Sequence, residues 1–322
     1  MSRKVLLPDN MGRSGIDALA ARGDLDVVLY PATITQPALL PHLADAAAIA
    51  LSATPYGRTE LDASPVMEAV ARLGVGYDSV DVSALTARRV PLMVTGTANS
   101  SAVAEQAVAI MLALAKKNTV MDGIVRRGAW DERFRAAPTE LAGKTLLVVG
   151  FGRIGTRTAK RCLAFDMTVL VYDPYQDHGR IIAAGCEPVA DLDAAVARAG
   201  FISIHCPKSP ETVGLFDAAR LARARRGAVI VNTARGGIID EAALIAALTS
   251  GQIAGAGRDV FADEPTQTDN PLLTLESVIA SPHMAGVTVE AVAAMAQAAA
   301  SNILSIFDGT PNRDSVVNSG VL

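Results

Sequence analysis

Residues 145–155 read TLLVVGFGRIG, an apolar run that leads directly into Gly150, Gly152 and Gly155. The run has the composition of a buried strand, and the residues after it are typical of a helix. In such a strand–loop–helix unit the first glycine allows a tight turn, the second lets backbone approach a pyrophosphate, and the third lets helix and strand pack closely. Amides at the helix N-terminus complete an anion site. This stretch therefore predicts a doubly wound α/β domain that binds a dinucleotide.

A carboxylate follows the glycine loop at the spacing that a dinucleotide site requires. The next apolar run ends in VYDP, which places Asp173 about 23 residues after Gly150. An acid at this position accepts hydrogen bonds from the adenosine ribose and repels a 2′-phosphate, so we predict NAD over NADP. Within the loop, Arg153 and Ile154 are candidate cofactor contacts. The plain alternatives are a turn residue at 173 and a solvated side chain at 153.

The composition indicates a folded globular protein and excludes several classes. Of the 322 residues 50% are hydrophobic, and the net charge is −4. The length permits two domains, and no block of like charges favours nucleic acid or a membrane surface. The cysteines, Cys162, Cys186 and Cys206, have neither a disulfide nor a zinc spacing. We expect no metal and a reducing cytoplasm.

No targeting or membrane-spanning segment is predicted. The apolar run near the N-terminus stops after three residues at Pro8, which is too short for a signal peptide. The longest apolar helical segment, predicted at residues 102–115, contains Glu105 and Gln106 and is too short to span a bilayer.

Strand-like and helix-like segments alternate on both sides of a polar stretch at residues 130–143, WDERFRAAPTELAG. This alternation is typical of α/β folds with parallel strands. Two long Ala-rich helices, predicted at residues 101–119 and 289–307, bracket the second series. One domain inserted into another would leave a cleft for a small molecule. We predict two Rossmann-like doubly wound domains: an NAD-binding domain at 99–286, inserted into a flavodoxin-like substrate domain at 1–98 plus 287–322.

Three charged or titratable side chains follow strand-like segments and form a chemical set. Arg235 lies in VIVNTARGGIIDE, Glu264 in DVFADEP and His283 in VIASPHMAG. A guanidinium fork suits a substrate carboxylate. An imidazole suits proton transfer near neutral pH, and a buried carboxylate beside it favours its charged form. Each residue alone is more often structural, but their order after a dinucleotide loop indicates hydride transfer to C2 of a 2-keto acid.

With these residues in place, the sequence resembles the D-isomer-specific 2-hydroxyacid dehydrogenase family over nearly its whole length. The motifs that carry the resemblance are LGVGYDSVDVSAL, NSSAVAEQAVAIMLAL, TELAGKTLLVVGFGRIG, VYDP, VNTARGGIIDEAALIAAL, DVFADEP and SPHMAG. The resemblance implies catalysis between two domains, with Arg235 as the carboxylate clamp, Glu264 as the acid paired to the base, and His283 as the acid–base. It also implies a homodimer built around the helix at 101–119, with the Trp130 segment as part of the dimer arm.

The resemblance also implies binding contacts for substrate and cofactor. Val75 and Gly76 match amides that bind the substrate carboxylate, which is reasonable for a glycine-bracketed loop, although a plain turn is the alternative. The remaining matched positions are Thr233, Ala234 and Asp259 near the nicotinamide, and His205, Cys206 and Pro207 near the adenosine half.

The substrate stays open between members of the family. The segment after Trp130 and the ending VVNSGVL resemble phosphoglycerate dehydrogenases, whereas hydroxypyruvate and glyoxylate reductases share most of the same features. Leu51 stands where phosphoglycerate dehydrogenases tend to have a basic residue, although Arg58 and Arg72 could partly compensate. Arg258 likewise stands where a leucine is more usual.

Other functions within the superfamily have different requirements. Formate enzymes would pair the histidine with Gln, so Glu264 argues against them, whereas a phosphite dehydrogenase-like enzyme would keep a similar triad. The non-enzymatic alternative is an NAD(H)-sensing, corepressor-like binding module, which would need an exposed partner groove.

Overall fold

The structure is a computed structural model that describes residues 2–134 and 137–322. Its strands are β1 (Arg3–Pro8), β2 (Leu25–Tyr30), β3 (Ala46–Leu51), β4 (Ala69–Arg72), β5 (Leu92–Met93), β6 (Thr145–Val149), β7 (Thr168–Tyr172), β8 (Glu187–Pro188), β9 (Phe201–Ile204), β10 (Ala228–Asn232), β11 (Ile253–Arg258) and β12 (Val278–Ala280). Its α-helices are α1 (Arg13–Ala20), α2 (Gln36–Leu43), α3 (Arg58–Asp62), α4 (Val82–Ala87), α5 (Ser100–Lys116), α6 (Asn118–Arg126), α7 (Gly155–Leu163), α8 (His178–Ala183), α9 (Leu192–Arg198), α10 (Ala218–Arg223), α11 (Glu241–Thr249) and α12 (Val289–Phe307). Short 3₁₀ turns lie at Trp130–Phe134, Pro271–Thr274, Arg313–Ser315 and Ser319–Val321.

The described chain divides into two compact units. One runs up to Asn99 and resumes at Gly286–Leu322, and the other is Ser100–Ala285. The polar stretch predicted at 130–143 belongs to the second unit, and its residues 135 and 136 lie outside the described residues.

The first unit is built on a parallel sheet in the order β2-β1-β3-β4-β5. The chain reverses its direction of travel across the sheet between β1 and β3, which is the flavodoxin-like order. Helix α12 buries an alanine-rich face against this sheet, including Ala296 and Ala299. A Cβ on Gly15 of α1 would lie 2.3 Å from the Ala296 carbonyl oxygen, so the glycine lets the two helices meet at their backbones.

Helix α12 also corrects one expectation from the sequence. It has 19 residues and is apolar enough to cross a membrane by length and composition, so the stretch at 102–115 is not the longest apolar helix. The core helix of a soluble protein passes the same test, and α12 carries fully buried Ala296 and Ile303 in the core of the first unit.

The second unit is built on a larger parallel sheet in the order β12-β11-β10-β9-β6-β7-β8. Successive strands are added outward from β6 in both directions. Ligands of such sheets bind at the carboxyl ends of the strands, where the order reverses, here between β6 and β9. The predicted α/β class with doubly wound parallel sheets is confirmed by both units.

Helix α5 packs closely on this second sheet. A Cβ on Gly257 of β11 would lie 2.2 Å from a methyl carbon of Ile110, and one on Gly255 would lie 3.2 Å from Leu114. The helix predicted at 101–119 is two helices, α5 and α6, because Lys117 between them has a φ of +53°. A left-handed residue cannot continue a right-handed helix.

Candidate functional site

The glycine loop between β6 and α7 has two glycines fixed by packing and one that faces open space. Gly150 has a φ of +94°, and a Cβ on it would lie 2.7 Å from the Cys206 amide nitrogen. A Cβ on Gly155 would lie 2.0 Å from the Gly150 carbonyl oxygen, whereas one on Gly152 would meet no described atom within 4 Å. The room beside Gly152, at the N-terminal end of α7, fits a phosphate group.

Asp173, directly after β7, ties the glycine loop to the neighbouring strand. The Phe151 amide donates to Asp173 Oδ2 at 2.7 Å, and the Tyr175 amide donates to Oδ1 at 3.0 Å. The residue therefore has the turn role that was its plain alternative. A carboxylate offers about four acceptor positions, so two amide bonds leave capacity for ribose hydroxyls.

The end of β9 lines the same edge of the sheet with uncharged side chains. The His205 amide donates to the Val149 carbonyl at 2.8 Å, and its Nε2 lies 2.9 Å from Ser203 Oγ. Burial lowers the pKa of His205 to about 3, and burial is also the main cause that raises the pKa of the Cys206 thiol to about 11. Cys206 is therefore a neutral thiol and not an activated nucleophile. Pro207 follows at the exposed end of the same turn.

Arg235 is placed by a buried asparagine that the sequence reasoning missed. Asn232, the last residue of β10, donates through Nδ2 to the Arg235 carbonyl at 2.8 Å and accepts from the Ala234 amide at 2.9 Å. Arg235 Nη1 itself donates to the Ala234 carbonyl at 2.7 Å. The Thr233 hydroxyl is buried and has no hydrogen-bond partner within the described ranges. This turn thus presents a guanidinium and an unpaired hydroxyl at the carboxyl end of β10.

Glu264 and His283, which are 19 residues apart in the chain, are brought together by the fold. Glu264 Oε2 lies 2.7 Å from His283 Nδ1, and its Oε1 accepts from the Phe261 amide at 2.9 Å. Burial pushes the pKa of Glu264 upward, but the His283 contact, the Phe261 amide and the nearby Arg235 charge bring it below its usual range. Glu264 is therefore an ionised partner for the imidazole.

His283 has a strained backbone and a half-exposed side chain. Its φ of +55° is uncommon for any residue other than glycine, and 48% of its side chain is exposed. Residues held in such conformations cluster at functional sites. With Nδ1 directed to Glu264, the other ring nitrogen is the one that remains for a substrate.

Asp259 fixes the loop that carries His283. Its side chain is only 1% exposed, and its Oδ1 accepts from Ser281 Oγ at 2.5 Å and from the Met284 amide at 2.9 Å. Oδ2 accepts from the Ala285 amide at 2.9 Å, and the Asp259 carbonyl accepts from the His283 amide at 2.8 Å. The sequence suggested a nicotinamide contact here, which stays a prediction, and gave no sign of this anchoring role.

The loop after β4, in the first unit, has two amides without partners. Gly74 has a φ of +135°, and its amide donates to Thr95 Oγ1 at 3.1 Å. Within the described part of the chain the amides of Val75 and Gly76 make no hydrogen bond. Adjacent unpaired amides in a loop are a suitable site for an anion such as a carboxylate.

The positions near β3 and β4 that the sequence linked to a phosphate group differ in burial and in their contacts. Leu51 is fully buried in the core, so this position presents no side chain to a ligand. Arg72 Nη1 donates to the carbonyls of Leu51, at 3.2 Å, and Leu73, at 2.8 Å. Arg58 begins α3 and is exposed.

A comparison with protein families identifies the second unit. Residues 108–285, more than half of the chain, match the NAD binding domain of the D-isomer specific 2-hydroxyacid dehydrogenases. The chain belongs to this family. The resemblance found in the sequence motifs is thereby confirmed.

The relatives of this dehydrogenase-family chain include proteins of several named activities. This chain is 43% identical over 287 residues to D-3-phosphoglycerate dehydrogenase of Mycobacterium tuberculosis. The matched region covers 89% of this chain and 53% of the relative. The chain thus spans about half the length of the curated relatives it matches.

Solved structures with the same fold cover nearly the whole chain. A glyoxylate reductase from Paecilomyes thermophila has a TM-score of 0.88 at 28% identity, covering 98% of both chains. D-lactate dehydrogenase from Aquifex aeolicus, solved with NAD and lactic acid, has a TM-score of 0.87 at 25% identity, covering 98% of this chain and 99% of that one.

Proposed function

We propose that the protein is an NAD-dependent oxidoreductase that transfers a hydride between the nicotinamide and C2 of a small D-2-hydroxy acid or 2-keto acid. The observation that carries the proposal is the ionised Glu264 held 2.7 Å from His283, in the same unit as the glycine loop and Arg235. Family membership supports the reaction class.

The side chains of the second unit fit NAD. The open space beside Gly152 would take the pyrophosphate, the buried unpaired hydroxyl of Thr233 suits the polar nicotinamide amide, and Asp173 suits the ribose. When bound, NAD would accept or supply the hydride. The residues proposed to hold it are Gly150, Gly152, Arg153, Ile154, Gly155, Asp173, His205, Cys206, Pro207, Thr233, Ala234 and Asp259.

The proton would be handled by His283 and its acidic partner. During reduction of a keto acid, His283 Nε2–H donates a proton to the oxygen on C2, and in oxidation the neutral ring accepts the hydroxyl proton. The Glu264 carboxylate stabilises the charged imidazole and fixes which ring nitrogen faces the substrate. Arg235 binds the substrate carboxylate through its guanidinium fork. In the first unit, the unpaired amides of Val75 and Gly76 are proposed to bind a carboxylate as well.

Two substrate classes have specific support. The curated relatives are named D-3-phosphoglycerate dehydrogenases, which favours a phosphorylated acid. The buried Leu51, in a position where a basic residue is more usual in those enzymes, favours an unphosphorylated acid such as hydroxypyruvate or glyoxylate. A shared reaction at C2 explains why both classes fit the same triad.

The reaction is tested by mixing purified protein and NADH with hydroxypyruvate, phosphohydroxypyruvate, glyoxylate and pyruvate in turn and following NADH absorbance. We expect turnover with at least one acid and its loss in His283→Ala. Oxidation of phosphite with NAD would instead indicate the phosphite enzyme. Tight NADH binding without any turnover would contradict an enzyme and favour the corepressor-like module.

We also propose that the protein is a cytoplasmic homodimer. Val125, Trp130 and Phe134 are 59%, 61% and 80% exposed, and apolar side chains grouped on one segment are typical of a surface that contacts another chain. Cys162, Cys186 and Cys206 are all free thiols, which suits a reducing compartment. Sedimentation equilibrium should give twice the chain mass, and a monomer at micromolar concentration would contradict the dimer.

A further inference from the structure

Arg258, the last residue of β11, is a charged side chain in the interior of the second unit. It is 0% exposed and heads the largest fully buried side chains of the described residues. Burial lowers its pKa, while the charges of Glu241 and Glu264 act in the opposite direction. A guanidinium stays charged in proteins, so this is a buried cation close to the Glu264 carboxylate.

The buried arginine and Glu241, the first residue of α11, hold the backbone on both sides of Phe261. Arg258 Nη2 lies 2.7 Å from Glu241 Oε1, and Arg258 Nε donates to the Val260 carbonyl at 3.1 Å. The Ala262 amide donates to the same Glu241 oxygen at 2.8 Å. One ion pair therefore fixes residues 260–262.

Phe261, at the centre of that segment, contacts both parts of the proposed active site. Its amide donates to Glu264 Oε1 at 2.9 Å. Its carbonyl oxygen would lie only 1.6 Å from a Cβ on Gly236, the neighbour of Arg235. Its ring lies 5.6 Å from the Arg258 guanidinium carbon. A shift of this backbone would move Glu264 and the Arg235 turn together.

Stability alone does not account for a buried charge at position 258. Replacing a buried ion pair by well-packed apolar residues is often neutral or stabilising, because desolvation offsets the attraction between the charges. In the described residues, Arg258 Nη1 is buried without any hydrogen-bond partner, which adds to that cost. What the pair does supply is directional bonding to two backbone groups.

We infer that the Arg258–Glu241 pair is a positioning unit that holds residues 260–262 so that Glu264 stays bonded to His283 Nδ1. The consequence for turnover rests on the proposed function, but the effect on the His283 ring does not. A carboxylate that accepts a hydrogen bond from one imidazole nitrogen raises the basicity of the other. Loosening Glu264 should therefore make His283 a poorer nucleophile in the unliganded protein.

The test measures how fast diethyl pyrocarbonate acylates each histidine, by mass spectrometry, at mildly alkaline pH where imidazoles are neutral. In Arg258→Met we expect acylation of His283 to slow by roughly three-fold or more, since the bond that raises its basicity is weakened. The exposed His42 and His178 should react at the wild-type rate in the same sample. They are internal controls for reagent and unfolding.

Arg220→Met is the matched control, because it breaks another ion pair of the same unit, with Asp193 at 2.6 Å. An unchanged His283 rate in Arg258→Met, or an equal change in Arg220→Met, would overturn the inference. If Arg258→Met does not fold, Arg258→Lys takes its place. Lysine keeps the charge facing Glu241 but cannot also bond the Val260 carbonyl in the guanidinium geometry, so a slower His283 is expected again.

Kinetics supply a second readout that a merely structural residue would not change. Arg258→Met should lower kcat by roughly ten-fold, as expected for a displaced catalytic group, with the KM for NADH within about two-fold of wild type. The same variant should alter the pH profile of kcat, and Arg220→Met should not. If the wild-type protein turns over no substrate, the proposed function fails while the acylation comparison still decides the positioning inference.

Discussion

Two glycine-to-alanine substitutions in the glycine loop should affect different properties of the protein: one should weaken NADH binding and the other should lower folding stability. Gly152→Ala places a methyl group where no described atom lies within 4 Å, and the residue does not have a positive φ. Folding stability should therefore be unchanged or rise by about 0.4–1 kcal/mol, because alanine has less freedom to lose. The same methyl group would occupy the space proposed for the pyrophosphate. We expect the Kd for NADH to rise at least ten-fold, which corresponds to about 1.4 kcal/mol.

Gly155→Ala should instead damage the fold. Its Cβ would lie 2.0 Å from the Gly150 carbonyl oxygen, so the backbone would have to move by about 1 Å to reach the 3.0 Å below which real Cβ contacts are essentially absent. Overpacking of this kind costs about 1–3 kcal/mol. For a protein of this size that lowers Tm by several degrees, at about 2–4 °C per kcal/mol.

The assay is thermal unfolding of both variants, with and without NADH, together with fluorescence titration of NADH. Wild-type NADH affinity in Gly152→Ala would refute the proposed phosphate site. A wild-type Tm in Gly155→Ala would refute the close contact between helix and strand on which the loop geometry depends. The two outcomes are independent, so a wrong cofactor assignment can be distinguished from a loss of folded protein.

Three further predictions concern charge at the site. Glu264→Gln replaces the carboxylate facing His283. A charge-assisted bond is worth about 1.5–3 kcal/mol, and partial exposure favours the lower value, so the rate of keto-acid reduction should fall about ten-fold. A wild-type rate would contradict the pairing. Asp173→Asn keeps an acceptor for the loop amide but removes the charge, so calorimetry should show a smaller preference for NAD over NADP; an unchanged ratio would exclude that role. Burial lowers the pKa of His205 from 6.5 to about 3, so the unfolded chain binds more protons than the folded chain between those pH values. The free energy of unfolding should therefore decrease as the pH is lowered below about 6.5, by about 2 kcal/mol at pH 5. Urea unfolding of His205→Gln should lack most of this loss and His178→Gln should retain it.

Much of the fold could be predicted because its strands and glycines carry strong local signals. The apolar run before Gly150 and the later run ending at Asp173 each became a strand of the second sheet. The predicted helix at 289–307 matches α12. Short elements had no recognisable strand or helix pattern in the sequence. Examples are β4, with its sequence AVAR, and α2, which contains Pro41. A buried parallel strand of four residues has too few positions to show a period.

The candidate site was predictable by residue type but not by its supporting contacts. Arg235, Glu264 and His283 are recognisable because each has a specific chemistry at a strand end. Asn232 and Asp259 follow strands in the same way, yet nothing local distinguishes a residue that contacts a ligand from one that accepts bonds from a loop. Which of the two roles a residue has depends on the segments that lie beside it in the folded sheet. Here β11 pairs with both β10 and β12, and this pairing brings together segments that are far apart in the sequence.

Strand β11 shows why these supporting contacts belong together. Successive side chains of a strand point to opposite faces, and here Gly257 faces α5 while Arg258 reaches Glu241 at the start of α11. Asp259, the next residue, anchors the loop that carries His283. Two adjacent buried charges therefore fix the two partners of one hydrogen bond, the carboxylate from one side and the imidazole from the other. Because both are anchored to the end of β11, a strand paired on both sides, the distance between Glu264 and His283 is set by the sheet and not by the exposed loops in which they lie.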